Sequence, residues 1–328
     1  MMTERAKRIG VLMGGWGEER DASMRTGEAI AQALEGNGHL VVRLFAGNGL
    51  DTTLREAQVD VAFLALHGRM GEDGRVQGLL EVMGLPYTGS GVLSSALAMN
   101  KGVAKKLFRQ HNLATPTGYV VSAGRVSDAQ TLHADLGFPC VVKPANGGSS
   151  VGLTLVHTRE QLEPAIALAC RYGGEALVER FVKGREVTVA VLDGRALGAC
   201  EVSHDGSVYD ATSKSEGTAR AHLPPRLPQT RLANLEQMAL TAARSLGCRG
   251  AVRVDFIVPE VGNEVVLEVN TLPGLTRTSL FAKIAKAAGL SFEDVVEQVL
   301  AGARMDGAQL HDAPILVTPP EATQAHAG

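Results

Sequence analysis

Two stretches in the last third of the chain limit what it can fold into: GCRGAVRVDFIV, Gly247 to Val258, and VVLEVNTLPGLT, Val265 to Thr276. Side chains along a strand point to alternate faces, so Val252, Val254 and Phe256 share one face and Arg253 and Asp255 the other. By the same rule Val265, Leu267 and Val269 stand together, with Val266, Glu268 and Asn270 opposite. Either stretch alone reads as an amphipathic edge strand whose polar side meets water. The segment between them, Pro259 to Glu264, is a short polar turn of the kind that joins antiparallel neighbours. Folded as a hairpin, the pair brings Asp255, Glu268 and Asn270 onto one surface with Arg253 beside them. A few hard oxygen donors suit Mg²⁺, which takes one or two carboxylates and fills its shell with water and substrate phosphate. An arginine next to such a site implies that further negative charge arrives there, as in phosphoryl transfer.

A chain of 328 residues predicts two or three domains, because a single core rarely grows past about 250 to 300 residues. The formal charge of -3 gives no reason to expect nucleic acid or an anionic membrane as a partner. Cys140, Cys170, Cys200 and Cys248 are far apart and form no metal-binding pair, so they read as small core residues in a reducing compartment. The N-terminal apolar run, Ile9 to Met13, is too short for a signal peptide or a membrane span. A cytoplasmic location is the expectation. The Pro- and Ala-rich end, 306–328, is expected to be a poorly ordered tail.

The first third alternates strands and helices, which implies a parallel sheet with helices on its faces and ligands outside the carboxyl ends of the strands. The GGWGEER turn after the first strand and His67 closing the third lie at such ends. Gly15 and Gly17 fit a dinucleotide fingerprint, but Arg20 stands where its third glycine belongs, so no Rossmann cofactor is expected. Glu19 either answers the dipole of the following helix or anchors a substrate ammonium group. His67 is either a hydrogen-bonded structural residue or part of the same site.

Ser94 to Leu113 reads as one helix carrying Lys101 near its start. In FPCVVKPANGGSSVGLTLV, Phe138 to Val156, an apolar strand delivers Lys143 to a loop containing Ser149 and Ser150. Its glycines and hydroxyls suit phosphate oxygens, with Lys143 facing phosphate and not core. EALVERFVKGREVTVAVL, Glu175 to Leu192, reads as strand, short turn, strand. Glu179 and Glu186 flank the turn and are solvated, or else accept from an adenine amino group and ribose hydroxyls. Phe181 and Val182 would offer an apolar wall and backbone partners there.

Taken in order, Lys101, VVKPANGGSSVG, VERFVKGRE, VRVDF and LEVNTLPG resemble the ATP-grasp enzymes. With GGWGEERDAS, ALHGRMGEDGRVQGLLEVMGLPYTGSG and GLTRTSL added, the chain from about Ile9 to Gly302 resembles the D-alanine:D-alanine ligase family. The resemblance implies an α/β and α+β chain: an ATP-grasp fold with an N-terminal parallel-sheet, Rossmann-like domain over 1–97. A central subdomain with the Gly-rich loop would span 98–186, and a C-terminal domain with lid loop and metal site 187–305. It implies ATP-dependent ligation of two D-alanine molecules for peptidoglycan precursors, with ATP gripped between the last two domains, two Mg²⁺ (or Mn²⁺) ions and a homodimer. Asp255, Glu268 and Asn270 would hold the metals. Lys101, Lys143 and the Ser149–Ser150 loop would handle phosphates, and Glu179, Phe181, Val182 and Glu186 the nucleoside. Glu19, with His67 nearby, would bind the first D-alanine; Lys214, Ser279 and the Leu280 amide the carboxylate of the second; Arg253 and the Gly274 amide would form the oxyanion site. One departure stands out, because Ser215 follows Lys214 where many relatives have tyrosine. That opens a second reading, a related D-lactate or D-serine ligase or another ATP-grasp amino-acid ligase; in the D-lactate case His222 would be the lid histidine that selects the acceptor.

Overall fold

The computed structural model describes residues 7–133, 135–148, 151–203 and 220–307. Ser149, Ser150, Lys214, Ser215 and the tail beyond 307 lie outside the described residues.

The first sheet is parallel, as the alternation of strands and helices predicts. Strands β1 (Arg8–Gly14), β2 (Leu40–Ala46) and β3 (Val61–Leu64) stand in the order β2-β1-β3. Helix α1 (Arg20–Gly36) lies on β1, and Gly27 permits the close approach, since a Cβ there would sit 2.5 Å from Met13 Cβ. Two short helices, α2 (Leu50–Ala57) and α3 (Arg75–Met83), complete this layer.

Ser94 to Leu113 is not one helix. Asn100 is extended, at φ -83° and ψ 96°, and divides α4 (Val92–Met99) from α5 (Lys101–Gln110). The Asn100 side chain accepts from Val103 N at 3.0 Å and so caps α5, a local bond that competes with continuing the helix. Lys101 therefore begins a helix whose buried face, with Ala104 and Phe108, packs on the last sheet.

Strands β4 (Gly118–Ser122), β5 (Cys140–Pro144), β6 (Thr154–Val156) and β7 (Glu175–Arg180) form an antiparallel sheet in the order β4-β7-β5-β6. Helix α6 (Ala129–Leu132) and helix α7 (Leu162–Cys170) accompany it, α7 supplying much of its core. Glu175 to Leu192 is strand, short turn, strand, as the sequence reads, but its two strands stand in different sheets. Phe181 to Gly184 carries the chain out of this sheet, and β8 (Arg185–Leu192) opens another. There β9 (Arg195–Ser203), β10 (Arg220–His222), β11 (Ala251–Val258) and β12 (Val265–Asn270) give the order β10-β9-β8-β11-β12. Helix α8 (Gln229–Ser245) covers one face, while α9 (Leu280–Ala287) and α10 (Phe292–Ala301) join the core beneath α1.

The expected hairpin forms, with Asp255 opposite Glu268 and Arg253 opposite Asn270. Its alternation differs from the sequence reading at one point. A β-bulge leaves Leu267 unpaired, so Val266 turns inward beside Phe256 and is fully buried, away from Glu268. The bulge places Leu267 and Glu268, neighbours in sequence, in the same cavity.

Candidate active site

A cavity of about 1050 Å³ opens where the three sheets meet. Of the residues singled out in sequence, Glu19, His67, Lys101, Lys143, Glu179, Phe181, Val182, Glu186, Arg253, Asp255, Glu268, Asn270, Gly274 and Leu280 all border it. Ser279 does not; its Oγ accepts from Ala282 N at 3.2 Å and donates to Thr276 O at 2.8 Å, which fixes the start of α9.

On the hairpin, the Arg253 guanidinium makes two hydrogen bonds to Asp255, of 2.9 and 2.8 Å. Thr188 of β8, the cross-strand partner of Asp255, donates to its Oδ1 at 2.6 Å. Asn270 Nδ2 donates to Oδ2 at 3.1 Å, which keeps its amide oxygen as a donor to a cation. Burial alone would lower the Arg253 pKa, but Asp255 and Glu268 outweigh it and hold the guanidinium firmly charged. Among the described residues no three His, Cys, Asp or Glu side chains converge as a metal cage. Two carboxylates and an amide are the smaller set that Mg²⁺ accepts when phosphate completes its shell.

Lys101 ties this hairpin to the Gly-rich loop, with Nζ 2.9 Å from Glu268 Oε2 and 2.6 Å from Gly147 O. Lys143 and Glu179 occupy neighbouring strands, β5 and β7, and pair at 2.5 Å. The reading of Glu179 as a solvated residue fails, since it is 2 % exposed and meets a second cation, Lys105, at 3.0 Å. Burial would raise the Glu179 pKa, but Lys105 and Lys143 reverse that and hold it below the usual carboxylate range. For Lys105 burial prevails over Glu179, and its pKa falls to about 8. Lys143 is also opposed by burial, yet Glu179 and Glu268 together raise it.

At the other end Glu19 is held between two loops. A Cβ on Gly148 would lie 2.9 Å from Glu19 Oε1, and one on Gly68, at φ +64°, would collide with Oε2. His67 has both ring nitrogens engaged, Nε2 with Thr26 Oγ1 at 2.9 Å and Nδ1 with Leu272 O at 3.1 Å. A carbonyl can only accept, so Nδ1 carries the proton and Nε2 receives the threonine hydroxyl. Glu72 lies behind His67, its pKa raised by burial and by Glu19 against the pull of His67.

Comparison with known proteins fits this arrangement. The family profile described as D-ala D-ala ligase C-terminus matches residues 107–301, and that described as D-ala D-ala ligase N-terminus matches 46–90. The D-alanine--D-alanine ligase of Anaeromyxobacter dehalogenans (strain 2CP-1) is 49 % identical over 93 % of this chain and 99 % of its own. The chain belongs to the D-alanine--D-alanine ligase family. The Geobacter sulfurreducens member of the same name is 48 % identical over 91 % of this chain and 94 % of its own. The crystal structure of the Bacillus anthracis ligase complexed with ATP superposes with a TM-score of 0.80 at 32 % identity, covering 90 % of this chain and 97 % of that one. A D-Ala:D-Ser ligase from Enterococcus faecalis gives 0.80 at 28 % identity, covering 90 % and 99 %. The fold is the ATP-grasp fold of this family.

Sequence reading missed Lys105, Thr188, Leu267 and Glu72 as parts of the site. Lys105 stands four residues after Lys101 on one helix face, a spacing that could have marked it, whereas Lys106 points to solvent. Thr188 in a run of valines looks like any β-branched strand residue. His222, expected to close over the acceptor, does not border the cavity; its Nε2 bonds to Ser203 Oγ at 2.9 Å between β9 and β10. Lys214 and Ser215 fall outside the described residues.

Proposed function

We propose that this chain joins two molecules of D-alanine into D-alanyl-D-alanine for peptidoglycan precursors, with ATP converted to ADP and phosphate. The observation that carries this reading is one cavity uniting the Asp255–Glu268–Asn270 surface with Lys101 and Lys143, in a chain nearly half identical to enzymes named for that ligation. A carboxylate is a poor acyl donor. A carboxylate oxygen of the first D-alanine therefore attacks the γ-phosphorus, the bond to ADP breaks, and an acyl phosphate forms. The amine of the second D-alanine attacks that carbonyl, and phosphate leaves with its bonding electrons.

In this reading Asp255, Glu268 and Asn270 would hold two Mg²⁺ or Mn²⁺ ions, which would neutralise charge on the phosphate oxygens. Lys101, Lys143 and the loop with Ser149 and Ser150 hold the phosphates. Glu179 accepts from the adenine amino group, Glu186 from ribose, and Phe181 and Val182 line the nucleoside. Glu19 receives the ammonium of the first D-alanine; His67, whose nitrogens serve Thr26 and Leu272, keeps that wall in place. Lys214, Ser279 through the start of α9, and the Leu280 amide take the second carboxylate. Arg253 and the Gly274 amide receive the oxyanion, each such donor contributing about 3 to 4 kcal/mol. Positioning supplies much of the remainder.

The domain limits that go with this reading are 1–97, 98–186 and 187–305. We assign the protein to the cytoplasm as a homodimer. Among the described residues no helix is long and apolar enough to cross a membrane. The D-lactate or D-serine reading is not favoured, because the curated relatives near half identity are D-alanine--D-alanine ligases and the D-Ala:D-Ser enzyme is 28 % identical. The test is a panel of D-alanine, D-serine and D-lactate with ATP and Mg²⁺, read by phosphate release and product mass. A dominant depsipeptide or D-alanyl-D-serine product overturns the reading, and light scattering decides the dimer.

A further inference from the structure

We propose that Lys105, which does not border the cavity, is a positioning residue that holds Glu179 as the acceptor for the amino group of the nucleotide's base. The inference rests on the reading that a nucleotide occupies this cavity. Lys105 projects from α5 and is 2 % exposed, an uncommon place for an ammonium group. Its Nζ donates to Thr115 Oγ1 at 2.9 Å, and Thr115 in turn donates to Val266 O at 2.8 Å, so the side chain is anchored to β12. From there it meets Glu179 Oε2 at 3.0 Å. Gly118 of β4, directly opposite Glu179, leaves the carboxylate room, since a Cβ there would lie 2.9 Å from Glu179 Cβ.

Glu179 has two neighbours of different kinds. Lys143 borders the cavity and takes Oε1; Lys105 stands behind, and Oε2 receives no well-directed hydrogen bond although it is buried. A buried carboxylate oxygen with an open lone pair is costly unless a donor arrives. Val141, Leu155, Phe181, Ile257 and Leu267 border the same cavity, the apolar surroundings a flat base requires. The exocyclic amine of adenine is the donor such a slot lacks; a 6-oxo purine would set oxygen against oxygen. When Lys143 turns to phosphate, Lys105 is the cation left to keep Glu179 ionised and in place.

The test compares KM for ATP with KM for ITP at saturating D-alanine and Mg²⁺ in wild type, K105M, K105R and T115V, with the melting temperature of each. We expect K105M to raise the KM for ATP about tenfold or more, because Glu179 loses the cation that keeps it placed for the base amine, while that for ITP moves less than about threefold. K105R restores most of the preference, and T115V shifts it in the K105M direction by a smaller factor. If K105M does not fold, T115V, which keeps charge and volume, carries the decision. An ATP-over-ITP preference unchanged in the folded variants, or a fall in kcat alone with both nucleotides, overturns the proposal. Wild type that shows no ATP-dependent ligation overturns the functional reading instead, which separates the two failures.

Discussion

Replacing Lys143 with methionine separates what sequence and structure each say about this residue. Read as a strand-end cation facing phosphate, Lys143 could be removed with little effect on stability. In the fold it is 8 % exposed and pairs with buried Glu179 at 2.5 Å. Breaking a buried pair from one side costs about 3 to 5 kcal/mol when the remaining charge is uncompensated. Here Lys105 remains 3.0 Å from the same carboxylate and compensates part of the charge, so we expect a loss below that range, about 2 to 3 kcal/mol. At this chain length that is a fall of roughly 3 to 5 °C in melting temperature. The KM for ATP should rise about tenfold or more in the same variant. Scanning calorimetry of Lys143→Met in wild-type and Glu179→Gln backgrounds checks the cause. In the second background the thermal loss should shrink by at least half, since the charge that was stranded is gone. An equal loss in both backgrounds, or none in either, would refute the buried-pair argument.

Glu268→Gln and Asp255→Asn should each lower phosphate release at least about a hundredfold at saturating Mg²⁺ while circular dichroism stays native; wild-type turnover in either would remove the metal assignment. Asn100→Ala should cost about 1 kcal/mol by uncapping α5, read as a lower denaturation midpoint that Asn100→Ser largely restores. Because burial lowers the Lys105 pKa from 10.5 to about 8, the unfolded chain binds that proton more tightly between those values. This contribution to stability is complete above pH 10.5 and is lost as pH falls through about 8, so stability should climb with pH across the window more steeply in wild type than in Lys105→Met. His222→Ala should leave the ratio of dipeptide to D-lactate product unchanged between about pH 6 and 9, because the ring is tied to Ser203 and lies off the cavity; a pH-dependent ratio that the variant abolishes would return His222 to the acceptor site.

The hairpin was legible because strand alternation is a local rule and its polar residues recur every second position. Val266 was misplaced for the same reason: a bulge adds one residue to one strand only, and nothing in VVLEVN marks it. The break at Asn100 carried a recognisable signal, an N-cap residue before Lys101, but the apolar run on both sides masked it. That the strands on either side of the turn after Glu179 belong to different sheets is not legible in the sequence, because chain reversal and passage between two sheets need the same short polar segment. Lys105 shows the deepest limit. Its partner Glu179 is far along the chain, and only the packing of α5 against two sheets puts an ammonium and a carboxylate out of water together.

These pairings bear on how the site receives so much charge. Three acids that border the cavity each have a cation, Asp255 with Arg253, Glu268 with Lys101, and Glu179 with Lys143. Isolated charges in so enclosed a place would be expensive, and pairing offsets that expense until ligands come. A nucleotide of about -4 and two divalent cations of about +4 add no net charge to the cavity. In the proposed function the residues could therefore exchange partners without any ion being left alone: Lys101 and Lys143 would turn to phosphate oxygens, and Glu268 and Asp255 would hold the metal. Glu179 would be the exception, since no metal is expected beside the base and Lys143 would be drawn away. Its second cation, Lys105, is anchored through Thr115 to the strand that carries Glu268, so on the proposed reading the carboxylate that would meet the base and the one that would meet the metal share a single support.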